Sequence, residues 1–132
     1  MRMLRIVCVA LCCSCAAAHD KHVSPSQLNC DAESYDGHVV EVTGWLVLED
    51  TEISFWDSKV DREAGRDPLN QCVSLLVPDE IFEGLRQFNR TKVRLVGVFH
   101  ADIREVFSEV FLHLCNLKAI ELRSVDDVQL AR

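Results

Sequence analysis

Two stretches, HVVEVTGWLV at residues 38–47 and TKVRLVGVFH at residues 91–100, carry nearly the same pattern and decide the fold that we predict. In both, apolar residues alternate with other residues until a glycine interrupts the pattern, at Gly44 and at Gly97. Alternation with a period of two is typical of a β-strand with one buried face. In the first stretch the predicted inward residues are Val40, Val42 and Leu46, and the predicted outward residues are Glu41, Thr43 and Trp45.

Three further strands, a helix and a loop complete the predicted secondary structure. The second, third and fifth strands are predicted within residues 51–56, 71–77 and 110–122. After Pro78, acidic residues followed by apolar ones at helical spacing predict a short helix. Residues 57–70 are charged and contain Gly65 and Pro68, so we predict a long mobile loop between strands two and three.

The order of three strands, a helix and two more strands is that of an OB-fold, a five-stranded Greek-key barrel with a helix between strands three and four. The predicted fold class is therefore mainly β, an OB-like barrel. In this topology the first and fourth strands pair and close the barrel, so both must curl strongly. Glycine is tolerated at such bends, which makes Gly44 and Gly97 predicted bend points. Glu41 and Arg94 are expected to face each other across this seam.

The N-terminal stretch MRMLRIVCVALCCSCAAA, residues 1–18, has the composition of a signal peptide. It combines two arginines, an apolar run too short to span a bilayer and final alanines that suit a signal peptidase. We therefore predict a mature chain that begins at His19 and is exported, to the periplasm or the medium. Two alternatives stay open, a lipoprotein cut before Cys15 and a buried N-terminal helix.

The mature chain predicted in this way is one acidic domain. Of 132 residues, 114 remain, which is enough for a hydrophobic core. They divide into an N-terminal segment with a short helix or turn, the barrel and a C-terminal tail, at residues 19–37, 38–124 and 125–132. No stretch after the leader is long and apolar enough to span a membrane.

The charge of the mature chain bears on its partners. It has 12 basic and 21 acidic residues and therefore a formal charge of −9. Nucleic acid is disfavoured as a partner, because its affinity for proteins rests on Lys and Arg that neutralise phosphate. The acidic surface favours a cationic, glycan or protein partner instead.

Three cysteines remain after residue 18, namely Cys30, Cys72 and Cys115. In an oxidising compartment such a set commonly forms one disulfide. We favour Cys72 with Cys115, because both lie in or beside predicted strands. Pairing of Cys30 with either of the others stays open, since a sequence does not show which Cα atoms come close enough.

The stretch YDGHVVEVTGWLVLED, followed by ISFWDS and RTKVRLVGVFHADI, resembles a loosely defined group of exported bacterial OB-fold-like proteins of uncharacterised function. The resemblance covers residues 28–120 and implies the barrel fold and export. It implies no catalytic residue and no cofactor. The matching residues are Tyr35, Asp36, Gly37, Gly44, Trp45, Gly97 and Phe99.

The sequence contains no nucleophile elbow, phosphate-binding glycine loop or metalloprotease motif, so we predict a non-catalytic binding or accessory module. Trp45 and Trp56 are its candidate ligand-binding residues, because both are predicted to face outward on the first two strands, where OB-folds often bind ligands. An exposed indole can stack on a sugar or a peptide ring. The alternative is that both tryptophans pack beneath residues 57–70.

Histidines suggest an alternative function, a periplasmic copper-binding protein. The amine and imidazole of an N-terminal His19, with His22 nearby, are suitable ligands for Cu²⁺. A second candidate metal site combines His113 with Cys115 and His100. A disulfide at Cys115 is the competing account of that cysteine.

Overall fold

The computed structural model of the chain describes residues 23–64, 68–107 and 114–132. In this part of the chain the strands are β1 (Val39–Glu49), β2 (Glu52–Trp56), β3 (Cys72–Leu76), β4 (Thr91–His100), β5 (Ala119–Glu121) and β6 (Val128–Leu130). The helices are α1 (Pro25–Cys30), α2 (Ala32–Tyr35), α3 (Lys59–Ala64), α4 (Pro68–Gln71) and α5 (Asp79–Leu85). Short 3-10 turns lie at Arg86–Phe88, Ile103–Glu105 and Val125–Asp127.

Five of these strands close into a barrel in the order β1-β2-β3-β5-β4, with β4 pairing back onto β1. The pairing of β3 with β5 is parallel, and the other four pairings are antiparallel. A closed mixed barrel with a short helix, α5, between β3 and β4 is an OB-like barrel. The fold class predicted from the sequence is thus confirmed.

The alternation in β1 and β4 assigns the core correctly. Val42 and Leu46 of β1 and Leu95 and Phe99 of β4 are at most 1% exposed. They pack around Phe55 of β2 in one continuous cluster that fills the barrel. Burying a side chain of this size stabilises a fold by about 1.5–3 kcal/mol, so these inward rows supply most of the apolar stabilisation.

Gly44 and Gly97 permit close approach of neighbouring backbone at the seam of the barrel. β1 pairs with β4 up to Leu46 and with β2 from Trp45 onward, so Gly44 stands just before this exchange of partners. A Cβ atom on Gly44 would collide with the carbonyl oxygen of Trp56. A Cβ atom on Gly97 would lie 2.5 Å from the carbonyl oxygen of Glu121 in β5. Both predicted bend points therefore have a steric reason for glycine.

Helix α1 closes the end of the barrel at which β3 begins. Ser24 caps the helix with a capping box, and Pro25 occupies its first turn, where a missing N–H costs nothing. Leu28 enters the core and is fully buried. The side-chain amide of Asn29 donates to the carbonyl oxygen of Cys72 at 2.9 Å, which ties α1 to β3.

Helix α5 closes the opposite end, after β3 and before β4. Leu85 is fully buried in the core cluster, and Ile81 and Phe88 pack against it. These three residues are the apolar stripe that helical spacing predicts after Pro78. With both ends closed and the interior filled by side chains, the barrel is a packed core.

The Tyr-Asp-Gly motif is a turn that fastens the start of β1 to the end of β4. Gly37 has a φ of 76°, a left-handed conformation that glycine adopts readily. Its N–H donates to the carbonyl oxygen of Phe99 at 2.8 Å, and the Asp36 carboxylate accepts from the N–H of Ala101 at 2.9 Å. The motif is therefore structural in this chain.

The prediction of a long loop at residues 57–70 is wrong. The structure has α3 and the first residues of α4 in this segment, on either side of residues 65–67, which lie outside the described part. The Ser58 hydroxyl accepts from the N–H of Asp61 at 3.1 Å and caps α3, and Lys59 pairs with Glu63 one turn later. Gly65 and Pro68 suggest a loop by composition, but a local cap and an ion pair are enough for a short helix.

The last two strands are short. β5 lies within the predicted residues 110–122, of which 110–113 are outside the described part of the chain. Its inward side chains are Ile120 and, just beyond it, Leu122. Residues 125–132 contain a 3-10 turn and β6, in which Gln129 stands opposite Arg94 of β4.

Candidate functional site

Trp45 and Trp56 lie directly opposite each other across the ladder between β1 and β2. Both lie on the outer face, as alternation predicts, because Leu46 and Phe55 beside them enter the core. They belong to a second apolar cluster, outside the barrel, that also includes Val47, Cys72 and Cys115. The structure thus brings the two candidate residues together, but their surroundings differ.

Trp56 is buried in protein and its polar atom is satisfied. The residue is 6% exposed, and its indole N–H donates to the Ser54 hydroxyl at 2.9 Å. Ser54 in turn donates to Glu52 at 2.8 Å, and Arg62 of α3 donates to the other carboxylate oxygen of Glu52 at 2.6 Å. This network holds α3 over β2, so Trp56 offers little ring surface to a ligand.

The network also controls the charge of Glu52. Burial alone raises the pKa of Glu52, but hydrogen bonds from Arg62 and Ser54 and the charge of Arg62 together lower the pKa below its ordinary value. A carboxyl group with a lower pKa in the folded chain stabilises the fold above its unfolded pKa. That stabilisation is lost as the pH falls through the folded pKa.

We therefore expect Glu52→Gln to reduce the free energy of unfolding by about 1 kcal/mol at pH 7 and by less under acid conditions. Urea unfolding of both proteins at about pH 7 and about pH 3 measures the difference. Glu80→Gln, at an exposed carboxylate of α5, is the control and should change the free energy of unfolding at pH 7 by less than Glu52→Gln does. A loss in Glu52→Gln that is the same at both pH values contradicts this role.

The outer face of β3 is covered by residues 114–118. The buried Ser74 hydroxyl accepts from the N–H groups of Cys115 and Asn116, at 3.0 and 3.2 Å, and donates to the carbonyl oxygen of Asn116 at 2.8 Å. A disulfide joins Cys72 to Cys115, with Cα atoms 6.4 Å apart, and confirms the pairing favoured from the sequence. The face of strands two and three, where OB-folds commonly bind ligands, is therefore occupied by the protein itself.

Trp45 keeps part of its ring at the surface. The residue is half-buried, and the Lys59 ammonium lies 5.8 Å from the ring centroid. Lys92, which is exposed, stands opposite Trp45 on β4. Lys59 already makes a cation–π contact with this ring, and the accessible part of the ring is suited to stacking. Of the two predicted binding residues, Trp45 is the one whose position fits that role.

A groove opens on the outer face of β1, β4 and β6, and its lining residue on β1 is Thr43, two residues from Trp45. Its volume is about 560 Å³, which lies within the range of small-molecule sites. We call it the β4–β6 groove. Its lining residues are Thr43, Arg94, Gln129, Leu130, Ala131 and Arg132.

Arg94 is held in place at the centre of this groove. Its Nε lies 3.2 Å from a carboxylate oxygen of Glu41, and its Nη2 donates to the side-chain oxygen of Gln129 at 3.0 Å. The contact between Glu41 and Arg94 confirms the expected pair across the seam. Gln129 comes from β6, a strand too short for alternation to reveal, so the sequence predicts the pair Glu41–Arg94 but not the groove.

The structure describes only some of the histidines that the sequence predicts as metal ligands. His19, His22 and His113 lie outside the described residues, so copper binding at the N-terminus stays a prediction. His100 is buried, with its Nε2 3.6 Å from a carboxylate oxygen of Glu121, and Cys115 is in the disulfide. In the described part of the chain no three His, Cys, Asp or Glu side chains gather in a metal-binding group.

No protein family model, curated protein or solved structure matches this chain. The resemblance to exported OB-fold-like proteins therefore stays a prediction. Among residues 23–64, 68–107 and 114–132, no helix is long and apolar enough to cross a membrane.

Proposed function

We propose that this chain is an exported, non-catalytic binding module and that its ligand lies on the outer face of β1 and β4. The ligand occupies the β4–β6 groove and contacts the accessible edge of Trp45 beside it. The observation that carries the proposal is the groove itself, of about 560 Å³, at the one predicted binding residue that keeps accessible ring surface.

Three other places at which an OB-like barrel could hold a ligand are filled in the described part of the chain, namely the interior, the two ends and the outer face of β3. The barrel interior is occupied by fully buried side chains such as Phe55 and Phe99. Leu28 and Leu85 close its two ends. Residues 114–118 cover the outer face of β3. These contacts support recognition on β1 and β4, which do not pair with β3.

The non-catalytic and exported parts of the proposal have their own support. In the described part of the chain, the buried hydroxyl groups of Ser54 and Ser74 both donate to structural partners, Glu52 and the carbonyl oxygen of Asn116. Disulfides such as the one at Cys72 persist mainly in oxidising compartments, which agrees with an exported protein.

Nuclear magnetic resonance of the ¹⁵N-labelled protein tests the location of the site with four small probes: glucuronate, glucuronamide, benzoate and benzamide. At least one probe is expected to shift the amide signals of Thr43, Arg94 and Gln129 and the indole signal of Trp45. Signals of the 3-10 turn at Ile103–Glu105, which follows the opposite end of β4, serve as the internal control. The proposal fails if none of the four probes moves the groove signals, or if the shifts map to another surface.

Trp45→Ala is expected to weaken binding of a probe that contacts the ring by about tenfold, because the stacking surface is lost. The ring is half-buried, so the melting temperature should fall only slightly. Titration followed by amide shifts measures the affinity of both proteins. An unchanged affinity would remove Trp45 from the site while leaving the groove in place.

A further inference from the structure

The β4–β6 groove has a charge opposite to that of the chain as a whole. Arg94 and Arg132 line it, and Lys92 adjoins it on β4. Glu41, which approaches Arg94 to 3.2 Å, offsets one of these cations. Neither Lys92 nor Arg132 forms an ion pair with any described residue. A local excess of positive charge therefore lies in a protein whose full chain has a formal charge of −7.

The groove contains donors of the kind that bind a carboxylate. A guanidinium group presents a planar fork of N–H donors that pairs with the two oxygens of one carboxylate. Arg94 forms an ion pair with Glu41 through Nε and donates one Nη2 N–H to Gln129, so the guanidinium is held between these two partners and has further N–H donors. Thr43 adds a hydroxyl beside it.

We propose that the β4–β6 groove selects a compact anion, a small ligand that bears a single carboxylate or an equivalent acidic group on a ring or short chain. This inference rests on the proposed function and adds the chemical class of its ligand. The acidic group pairs with Arg94 and Arg132, and the remainder of the ligand extends along the outer face of β1 towards Trp45. Thr43 and Trp45 are two residues apart on one strand face, so the span is about 7 Å.

The acidic charge of the whole chain explains why the ligand is compact. A long polyanion, such as nucleic acid, meets the field of many carboxylates beyond the groove and is repelled. A single acidic group feels mainly the cations within about 8–10 Å, because salt screens charges that lie farther away. The groove therefore discriminates by charge and by size together.

The experiment compares two acids with their neutral amides on the full folded protein. We expect glucuronate or benzoate to shift the groove signals at a concentration at least tenfold lower than glucuronamide or benzamide does. Arg94→Gln and Arg132→Gln should each weaken binding of the acid about tenfold, because each removes a charge-assisted hydrogen bond. Raising NaCl from about 0.05 M to about 0.5 M should weaken it as well.

Arg104→Gln is the matched control, because Arg104 pairs with Asp102 at 2.7 Å away from the groove and its loss changes the net charge by the same amount. The acid should bind this variant as it binds the wild type. Equal binding of acid and amide in the groove would overturn the anion class and leave the proposed site intact. Absence of any groove shift with all four probes would overturn the site as well. If Arg104→Gln weakens binding of the acid as much as Arg94→Gln does, the effect comes from the net charge of the protein, and the inference is overturned.

Discussion

Replacing Cys72 and Cys115 together by alanine is expected to lower the free energy of unfolding by about 4 kcal/mol. The disulfide joins residues 43 positions apart, and a cross-link that closes a loop of this length removes about that much conformational free energy from the unfolded chain. Removing the disulfide mainly increases the conformational entropy of the unfolded chain. The folded structure changes little, because Ser74 and Asn116 continue to hold residues 114–118 on β3. We therefore expect a destabilised protein with the native fold.

Urea unfolding, followed by the fluorescence of the two tryptophans, measures this effect. The single variant Cys115→Ala is the control and should lose nearly as much stability as the double variant, because it opens the same cross-link. A difference below about 1 kcal/mol would mean that the reduced chain already keeps residues 72 and 115 close together when it is unfolded. The amide signals of Ser74 and Asn116 should stay near their native positions in the folded variant.

The second large effect is expected at Trp56. Trp56→Ala should cost about 3–5 kcal/mol, because it removes a large buried ring and leaves a cavity between β2 and α3. Trp45→Ala, at the position directly opposite, should cost about 1 kcal/mol, since part of that ring is already in water. Urea unfolding of the two variants side by side distinguishes a structural tryptophan from an accessible one.

Trp56→Phe separates the two contributions to this loss. Phenylalanine keeps most of the buried ring but removes the N–H that Ser54 accepts at 2.9 Å, so an intermediate cost of about 1–3 kcal/mol is expected. If Trp45→Ala destabilises the protein as much as Trp56→Ala does, the ring of Trp45 is structural too, and the proposed contact with a ligand loses its main support.

The strand patterns predict the barrel well because alternation shows directly which residues lie on the inner face of a strand. Alternation in residues 38–47 and 91–100 identifies the inward rows, and the two interrupting glycines identify the strands that meet at the seam. The favoured pairing of Cys72 with Cys115 follows from the same strand assignment. These features depend on which face a residue occupies, and a sequence carries that information directly.

What covers the outer face is not predicted, because coverage depends on distant segments. Alternation places Trp45 and Trp56 on the same face, but it does not show that Arg62 and Glu52 hold a helix over one of them. Because residues 57–70 are predicted to form a loop, this helix is not predicted. The groove depends on Gln129, which reaches Arg94 only because β6 adds to β4, a pairing that a three-residue strand does not reveal.

The seam between β1 and β4 also bears on how quickly the chain folds. Val39 pairs with Val98 and Leu46 with Thr91, so the contacts that close the barrel join residues about 45 to 60 positions apart. Entropy of loop closure must be overcome before such contacts form, and barrels with many of them fold in about milliseconds to seconds. For the export that we propose, slow folding would keep the newly made chain unfolded for longer, the form that a translocation machinery for unfolded substrates accepts. In an exported protein, slow closure of the barrel works in favour of delivery.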